Sequence, residues 1–362
     1  MSAGVSGATT EALVGRLFSA TIGALELASI HLGLRLGFYT ALEAAGSATS
    51  AELAERTGTT ERYVREWLEQ QAVARLLGVD DVQADAAERR YRLPAEHRPV
   101  FLDPESLNHL APLANAVVGV IGPMQTLIDA YKSGGGVPYE AYGADTRDGI
   151  AAGNRPMFAQ QLAGWLAAIP EVHERLIRQP PALVADVACG VAWSSIAMAR
   201  AYPHVIVDAI DADPASIHSA RIHVRDAGLR ERVRPSIRDA SDPLLGGRYD
   251  LVTIFEALHD MNHPVDALRS AYRLLKEGGS VVVADERVAE HFTAPGDDIE
   301  RFNYGWSVLH CLPVGMLEPD SAGTGTVMRP DTVRAYAAAA GFNRTDVLPI
   351  EHDLWRFYRL VP

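Results

Sequence analysis

The sequence of 362 residues predicts an α/β fold, in which a small helical domain precedes a domain built on a mostly parallel sheet. Two observations carry this prediction. Residues 183–201 have the pattern of a buried strand, a tight turn and a helix, and further apolar strand segments follow in the C-terminal half. The N-terminal half has helical periodicity, helix-cap signals and two short extended stretches. Alternating strands and helices are typical of parallel sheets, because each parallel crossover requires a connecting segment.

The N-terminal domain, residues 1–100, is predicted to be a winged helix-turn-helix behind a long apolar helical stretch at 10–45. Thr49 with Glu52 predicts a capping box, and Gly58 ends the short helix that follows it. A second helix and two extended stretches come next, at residues 60–72, 77–79 and 91–93. The first ten residues or so are small and polar, and we expect them to be disordered.

A winged helix is compatible with DNA binding or with dimerisation. A DNA-reading helix presents basic or amide side chains to base edges. The second helix instead begins with charges of both signs, at Glu61, Arg62, Tyr63, Arg65, Glu66 and Glu69. The net charge of −13 also disfavours a nucleic-acid surface. We therefore predict a homodimerisation domain, since residues 10–45 have more apolar side chains than one helix face can bury.

Residues 101–180 are predicted to form a helical connector that lines a substrate pocket, before a third segment at 181–362. The longest uncharged run, 110–128, is interrupted by prolines, glycines and polar residues, so it predicts buried helices and no membrane span. Residues 157–178 predict a further helix.

The turn after the first strand of the sheet has the form of a nucleotide-binding site. The strand ends at Asp186, and small residues occupy every second position that follows, at Ala188, Gly190 and Ala192. Small side chains let a ligand approach the backbone, and the free N–H groups of the helix at 193–202 face the turn. The G-x-G-x-x-G pattern of nicotinamide-binding turns is absent.

Acidic residues also follow the next two strands. The strand at 205–210 leads into Asp211, about 20 residues beyond the turn, where a carboxylate can accept hydrogen bonds from both ribose hydroxyls of a nucleotide. The strand at 233–237 is followed by Asp239 and Ala240. A fourth strand, YDLVTIF, and a fifth, in LLKEGGSVVVADERV, continue the series, and residues 332–342, 347–350 and 355–360 predict a helix and two closing strands.

These motifs, in this order, resemble the D-x-G-x-G-x-G turn and strand series of class I methyltransferases that bind S-adenosylmethionine (SAM). The whole chain is similar to bacterial winged-helix SAM-dependent methyltransferases and to small-molecule O-methyltransferases, although Ala188 and Ala192 replace glycines. The resemblance implies a Rossmann-like domain with a mostly parallel seven-stranded sheet, and SAM as cofactor. It places the cofactor at Asp186, Ala188, Cys189, Gly190, Asp211, Ala212, Asp239, Ala240, Phe255 and Glu256.

The segment after the fourth strand, EALHDMNHP, carries the candidate catalytic residues. His259-Asp260 resembles the L-H-D motif of plant-type O-methyltransferases, in which the histidine is the general base, a task that suits an imidazole near neutral pH. Asp285, at the end of the fifth strand, matches a helper acid of that family, whereas a second helper falls near Met328 and is not matched. His259 bonded only to the backbone remains an alternative.

A metal site is the weaker alternative at this place. His259 and His263 with Cys311 or His310 offer mixed ligands for zinc, but their spacing is not that of a compact metal motif, so no metal is predicted.

The substrate pocket is predicted from the connector and from an aromatic helix inserted after the fifth strand. Ordinary core packing is the alternative for each of its candidate residues, because aromatic side chains also fill cores. The candidates are Tyr139, Tyr142, Met157, Phe158, Phe302, Trp306 and His310.

Composition limits the remaining functions. Cys189 and Cys311 are the two cysteines, so a disulfide framework is excluded and a reducing compartment fits. The first residues lack a secretory signal pattern, and we predict a cytoplasmic enzyme with no nucleic-acid or membrane partner. The predicted function is SAM-dependent methylation of a hydroxyl on a small, largely apolar metabolite. N- or C-methylation, a non-methylating reaction, and a DNA-binding regulator that senses SAM or a metabolite are the alternatives.

Overall fold

The computed structural model describes residues 9–240 and 248–362. The predicted disorder of the first ten residues therefore falls almost wholly outside the described residues. The chain forms two compact units, Met1–Gly119 with Asp148–Gly153, and Val120–Arg147 with Asn154–Pro362. The segment predicted as a connector, 101–180, contributes to both units.

The N-terminal unit contains the predicted winged helix-turn-helix. Its elements are α1 (Thr10–Arg35), α2 (Phe38–Ala45), α3 (Ser50–Thr57), α4 (Glu61–Val73), β1 (Gly78–Val79), β2 (Tyr91–Arg92) and α5 (Arg98–Phe101). The predicted capping box is confirmed, because Thr49 Oγ1 accepts from Glu52 N at 3.3 Å and Glu52 Oε2 accepts from Thr49 N at 3.0 Å. Gly58 ends α3 with a left-handed φ of 65°. The antiparallel pair of β1 and β2 is the wing.

The apolar helical stretch at 10–45 consists of two helices, which are separated because Gly37 takes a φ of 71° between α1 and α2. The second part of α1 packs on α4, where Trp67 Nε1 donates to the carbonyl of Ser29 at 2.9 Å. Trp67 also lies edge-on to Tyr39, with ring centroids 5.3 Å apart. This aromatic core anchors α1 at its C-terminal half.

The first part of α1 exposes apolar side chains. Phe18 is 67% exposed and Leu25 is 66% exposed, and Leu13, Val14 and Leu17 are also exposed. Among the described residues, α1 is the single helix long and apolar enough to cross a membrane, and 6% of its apolar stretch is buried. The surplus of apolar side chains expected at 10–45 is therefore exposed on α1.

The helices between the winged helix and the sheet are α6 (Leu113–Ile121), α7 (Met124–Ser133), α8 (Gly143–Ala167) and α9 (Pro170–Ile177). The predicted single helix at 157–178 is wrong. α8 begins earlier and ends at Ala167, and Ile169 takes an extended conformation before Pro170. A residue that precedes proline is disfavoured in the helical region, and proline at the first helical position starts a new helix. α6 and α7 have the length and hydropathy of a membrane span only as a pair, which is bent by 55°.

We expect Gly33→Ala to lower the free energy of unfolding by about 1 to 3 kcal/mol, since an added methyl overpacks the core. A Cβ at Gly33 lies 2.7 Å from Tyr39 Cε2 and contacts the Trp67 ring. The control is Gly164→Ala in α8, where a Cβ meets nothing within 4 Å, so we expect a gain of about 0.5 to 1 kcal/mol from helix propensity. Urea denaturation followed by tryptophan fluorescence measures both, and equal shifts would contradict the tight packing at Gly33.

The C-terminal unit is built on seven strands in the order β5-β4-β3-β6-β7-β9-β8. The strands are β3 (Leu183–Val187), β4 (Ile206–Asp211), β5 (Val233–Ile237), β6 (Tyr249–Phe255), β7 (Leu275–Glu286), β8 (Arg344–Val347) and β9 (Trp355–Val361). Strands β3 to β7 are parallel, and β9 pairs antiparallel with β7 and β8. The predicted mostly parallel seven-stranded sheet is confirmed.

Helices cover both faces of the sheet, and each face has its own hydrophobic core. The remaining helices are α10 (Trp193–Ala201), α11 (Pro214–Asp226), α12 (Pro264–Leu274), α13 (Asp298–Trp306), α14 (Leu312–Val314) and α15 (Pro330–Ala340). The strand predicted at 347–350 is β8, displaced toward the N-terminus, because Pro349 lacks the N–H that a longer ladder requires. The strand order reverses between β3 and β6, and in open α/β sheets ligands bind at such a reversal, outside the carboxyl ends of the strands.

Candidate cofactor and active site

The turn between β3 and α10 has the backbone of a glycine turn with two alanines in it. Ala188, Gly190 and Ala192 have φ values of 56°, 53° and 70°. The left-handed region costs a residue with a Cβ about 1 to 2 kcal/mol. The two alanines that replace the expected glycines therefore adopt the backbone conformation of glycine, and the surrounding packing has to offset the strain. Cys189 lies between them, buried, and its N–H donates to the carbonyl of Ile210 at 3.0 Å.

Asp186, which is buried near the end of β3, stabilises this turn through hydrogen bonds. Its carboxylate accepts hydrogen bonds from Ser194 Oγ at 2.6 Å, Ser195 Oγ at 2.5 Å and Thr253 Oγ1 at 2.7 Å. Burial raises the pKa of Asp186, and these hydroxyls oppose the rise. The contacts join β3, the start of α10 and β6, so the side chain shapes the turn. Direct contact between Asp186 and the cofactor stays a prediction.

Asp211, at the end of β4, bonds to the same turn. Its Oδ2 accepts from Gly190 N at 2.8 Å, and its Oδ1 accepts from Asp213 N at 2.8 Å. Burial raises the pKa of Asp211 to about 6, and the charge of Asp213 adds to the rise. Each oxygen keeps a second lone pair for a ligand. The structure therefore brings together the turn and the acid that the sequence predicts at the ribose, and the exposed Ala212 follows directly.

The end of β5 lies beside Asp211, because Arg238 N donates to the carbonyl of Asp211 at 2.9 Å. Asp239 is exposed and Ala240 is half-buried against the core of the sheet. Both predicted adenine-site residues are thus next to the turn and the predicted ribose acid.

Arg155 is a cation beside the turn that sequence reasoning missed. Its Cζ lies 4.3 Å from the centroid of Trp193, the first residue of α10, and Trp193 stacks on His223 with centroids 4.3 Å apart. In the sequence, Arg155 is the single charged residue of the segment 149–170. A lone arginine in an uncharged segment is too common to indicate a binding site.

Two glutamates lie at the ends of β6 and β7, Glu256 half-buried and Glu286 buried. Glu256 has a φ of 52°, accepts a hydrogen bond from Asn154 Nδ2, and donates its N–H to the carbonyl of Ala284 at 2.8 Å. Burial raises the pKa of Glu256 to about 7. Burial and the neighbouring Glu256 also raise the pKa of Glu286. Phe255, which precedes Glu256, is buried in the core of the sheet.

His259 lies in a short 3₁₀ turn after β6, and its ring is paired with Asp285 of β7. The distance from His259 Nδ1 to Asp285 Oδ1 is 2.8 Å, and the two residues are 2% and 1% exposed. Burial acts to lower the pKa of His259, but Asp285 and Cys311 outweigh it and hold that pKa above its usual value. Burial also raises the pKa of Asp260 to about 6. Of the two acids named from the sequence, Asp285 is the one that bonds the ring.

Cys311 is a second neighbour of His259. One ligand atom from each of His259, Asp260 and Cys311 lies within 4.8 Å of the other two. The metal alternative considered from the sequence combined His259 and His263 with Cys311 or His310, and the structure brings Cys311 to His259 together with Asp260 in place of His263. His263 Nε2 lies 2.8 Å from Glu318 Oε2, in a separate pair. The spacing along the chain did not reveal which histidine meets the cysteine.

An aromatic cluster surrounds His310. The His310 ring is edge-on to Tyr142, Tyr139 and Trp306, with centroids 4.6, 5.7 and 6.4 Å apart, and Trp306 contacts Phe302 at 6.0 Å. Burial lowers the pKa of His310 to about 4, so the ring is neutral near pH 7. Five of the seven predicted pocket residues therefore meet.

The other two predicted pocket residues do not join this cluster. Phe158 packs on Phe255 and Trp355 in the core of the sheet, and Met157 packs against the same core, because that face of α8 covers the sheet. Met328, where a second helper acid is missing, is buried in the core on the other face. These three positions are explained by packing.

Comparison with known proteins agrees with this geometry. Residues 184–279 match the family described as methyltransferase domain, and residues 23–102 match the Rv2258c-like winged HTH domain. A ubiquinone biosynthesis O-methyltransferase from Pseudomonas entomophila is 32% identical over 180 residues, which are 49% of this chain and 72% of that protein. One from Azotobacter vinelandii is 34% identical over 111 residues, which are 31% of this chain and 46% of that protein.

Among solved structures, human N-acetylserotonin methyltransferase in complex with SAM is similar over nearly the full length. The TM-score is 0.71 at 16% identity, and the match covers 98% of this chain and 99% of that one. Because the identity is only 16%, this similarity shows a shared fold and says nothing of the substrate. Together with the family matches, it makes this chain a SAM-dependent methyltransferase, a member of the class I family with a winged-helix domain in front of its Rossmann-like SAM-binding domain.

Proposed function

We propose that this enzyme methylates a hydroxyl group of a small, largely apolar metabolite, with His259 as the general base. The observation that carries the proposal is the buried hydrogen bond between His259 Nδ1 and Asp285 Oδ1 at 2.8 Å, at the carboxyl ends of two adjacent parallel strands. In the neutral ring, with Nδ1–H donating to the carboxylate, Nε2 keeps the lone pair that accepts the hydroxyl proton, and the raised pKa of His259 makes this nitrogen a stronger base. Asp285 then stabilises the imidazolium that forms.

The residues around the turn fit SAM as the methyl donor. Bound SAM supplies a methyl group made electrophilic by its sulfonium. We assign the ribose hydroxyls to Asp211, whose two oxygens each keep one acceptor position beyond their backbone bonds. The adenine is assigned to Asp239 and Ala240, and the methionine end to the left-handed turn at 188–192.

Arg155 is assigned to the carboxylate of the methionine end. Its guanidinium lies over Trp193, the residue that begins the helix after the turn. A planar guanidinium binds a carboxylate in bidentate fashion, and the N-terminus of α10 adds a favourable dipole. The cofactor's negative group would therefore meet a cation at one end of the turn.

The acceptor is assigned to the aromatic cluster around His310. Tyr139, Trp306 and Phe302 offer apolar ring faces and edges, which favour a flat, weakly charged molecule such as a phenol. His310 Nε2 is buried and has no hydrogen-bond partner among the described residues. A polar group of the acceptor would satisfy this nitrogen, since a buried unpaired polar atom is costly.

The test uses SAM with an isotopically labelled methyl group, incubated with the purified enzyme and a metabolite extract. Mass spectrometry of the labelled products is expected to find the label on oxygen, as a methyl ether. Label on nitrogen or carbon would overturn O-methylation while retaining the methyltransferase.

We also propose that the enzyme is a homodimer joined through α1 of each subunit. The support is the exposed apolar surface of α1 at Phe18, Leu25 and their neighbours. The arginines of α4 favour this role over DNA reading, because Arg62 pairs with Glu66 and Arg65 with Glu61 within the same helix.

Phe18→Asp is expected to convert the dimer to monomers, because it buries a charge at the interface. The matched control is Phe292→Asp, which changes a phenylalanine that is 70% exposed in the other unit and is expected to remain dimeric. Sedimentation velocity measures both. A wild-type protein that sediments as a monomer at micromolar concentration would refute the dimer.

A further inference from the structure

We propose that His259, Asp260 and Cys311 form a binding site for a thiophilic divalent cation, Zn²⁺. One donor atom from each residue lies within 4.8 Å of the other two, in a cluster where His259 and Cys311 are buried and Asp260 is half-buried. Imidazole, carboxylate and thiolate are the three ligand types of zinc sites. The sulfur ligand favours zinc over magnesium or calcium, which prefer oxygen.

Each of the two buried ligands has a partner that orients it. Asp285 Oδ1 holds His259 Nδ1 at 2.8 Å, which leaves Nε2 as the nitrogen for a metal, and this carboxylate-histidine pairing is typical of zinc ligands. His310 Nδ1 lies 3.5 Å from Cys311 Sγ, where an N–H can donate to a thiolate. Second partners of this kind tune a metal site as well as hold it in place.

Charge also favours a divalent cation. A Cys311 thiolate and an Asp260 carboxylate together carry two negative charges, and His259 binds as a neutral ligand, so Zn²⁺ makes the three-ligand site neutral. Three protein ligands leave a fourth position open, which is the arrangement of catalytic zinc sites, in contrast to closed structural sites. The open position is available to water or to an oxygen of the acceptor.

The backbone brings the two ligand-bearing segments close together. Cys311 ends a π-helical turn, Ser307–Cys311, a local widening that is frequent at functional sites. A Cβ at Gly315 would lie 3.1 Å from the carbonyl oxygen of Asp260 and 3.3 Å from that of Cys311. The close approach of the Asp260 and Cys311 segments thus depends on glycine at 315.

Zinc at this site removes the lone pair of His259 Nε2. Zinc should therefore inhibit turnover, and a chelator should restore it. This inhibition rests on the proposed base role of His259, whereas binding of the metal does not.

The binding test titrates the metal-free full-length protein with Co²⁺, which reports sulfur ligation by charge-transfer absorption in the near ultraviolet, and then displaces it with Zn²⁺. We expect one cobalt per chain. Cys311→Ser should abolish the band, and Asp285→Asn should weaken affinity about 10- to 100-fold. Two controls should keep the band: Cys189→Ser changes the other cysteine, and His263→Ala changes a histidine of the separate pair with Glu318.

The site would be overturned if Cys311→Ser bound cobalt as the wild-type protein does. It would also be overturned if His263→Ala lost the charge-transfer band. Circular dichroism checks the folding of each variant. A second measurement uses the wild-type protein and does not depend on folding of the variants. Zn²⁺ should slow alkylation of Cys311, which is followed by peptide mass spectrometry, and an unchanged rate would contradict the proposal.

If zinc binds but turnover is unchanged, the base role of His259 fails and the metal site stands. If His259→Ala abolishes turnover and the wild-type protein shows no cobalt band, the metal site fails and the base role of His259 stands.

Discussion

We expect His259→Ala to lower turnover by about 10² to 10⁴-fold, the usual contribution of a general base, and to leave SAM affinity nearly intact. The reason is the position of the side chain. His259 bonds Asp285 in a buried pair, whereas the residues assigned to the cofactor lie on the turn at 188–192 and at the ends of β4 and β5. The measurement is steady-state turnover at saturating SAM, with a chelator present, and calorimetry of SAM binding.

Two variants sharpen this result. Asp285→Asn keeps the size of the side chain but removes the charge that stabilises the imidazolium, so we expect turnover to fall while SAM still binds. His263→Ala removes a half-buried histidine four residues away, bonded to Glu318, and should leave turnover unchanged. If His259→Ala turned over as fast as the wild-type protein, the base mechanism would be eliminated. Catalysis would then depend on positioning of the acceptor by the aromatic cluster around His310, which includes Trp306.

We expect Asp211→Ala to weaken SAM binding by about 1.5 to 3 kcal/mol for each charge-assisted hydrogen bond to the ribose that is lost, less what water restores. The same change removes the acceptor of Gly190 N, a bond of 2.8 Å that holds the turn. Asp211→Asn retains one acceptor oxygen and should lose less affinity. Calorimetry measures the effect, and Asp226→Ala, an exposed acid at the end of α11, controls for the change of charge.

The pH dependence of binding adds an independent check on Asp211. Because burial raises its pKa to about 6 in the free protein, the carboxylate is protonated below that value and loses acceptor strength. SAM affinity should therefore fall as the pH drops through about 6, and this fall should be absent in Asp211→Asn. Unchanged affinity in Asp211→Ala would place the ribose elsewhere.

The sheet could be predicted because its signals are local. Strands β3 and β6 and the second half of β7 are buried on both faces, so their sequences are largely apolar. The small residues between β3 and α10 mark a turn that a bulky side chain would block. The capping box at Thr49 and Glu52 is equally local. Predictions failed where two local signals competed, as in the merged helix across Pro170 and the displaced strand before Pro349.

The sequence by itself determined which chemistry is present: an acid after each of the first strands, a histidine after β6, and aromatic side chains before and after the sheet. Tertiary structure decided which of these groups meet. It paired His259 with Asp285 and not with the adjacent Asp260, brought Cys311 to the same histidine, and turned Phe158 into the core. The physical reason is that these contacts join segments far apart in the chain. The pleat of the sheet and the packing of helices set such contacts, and no local propensity encodes them.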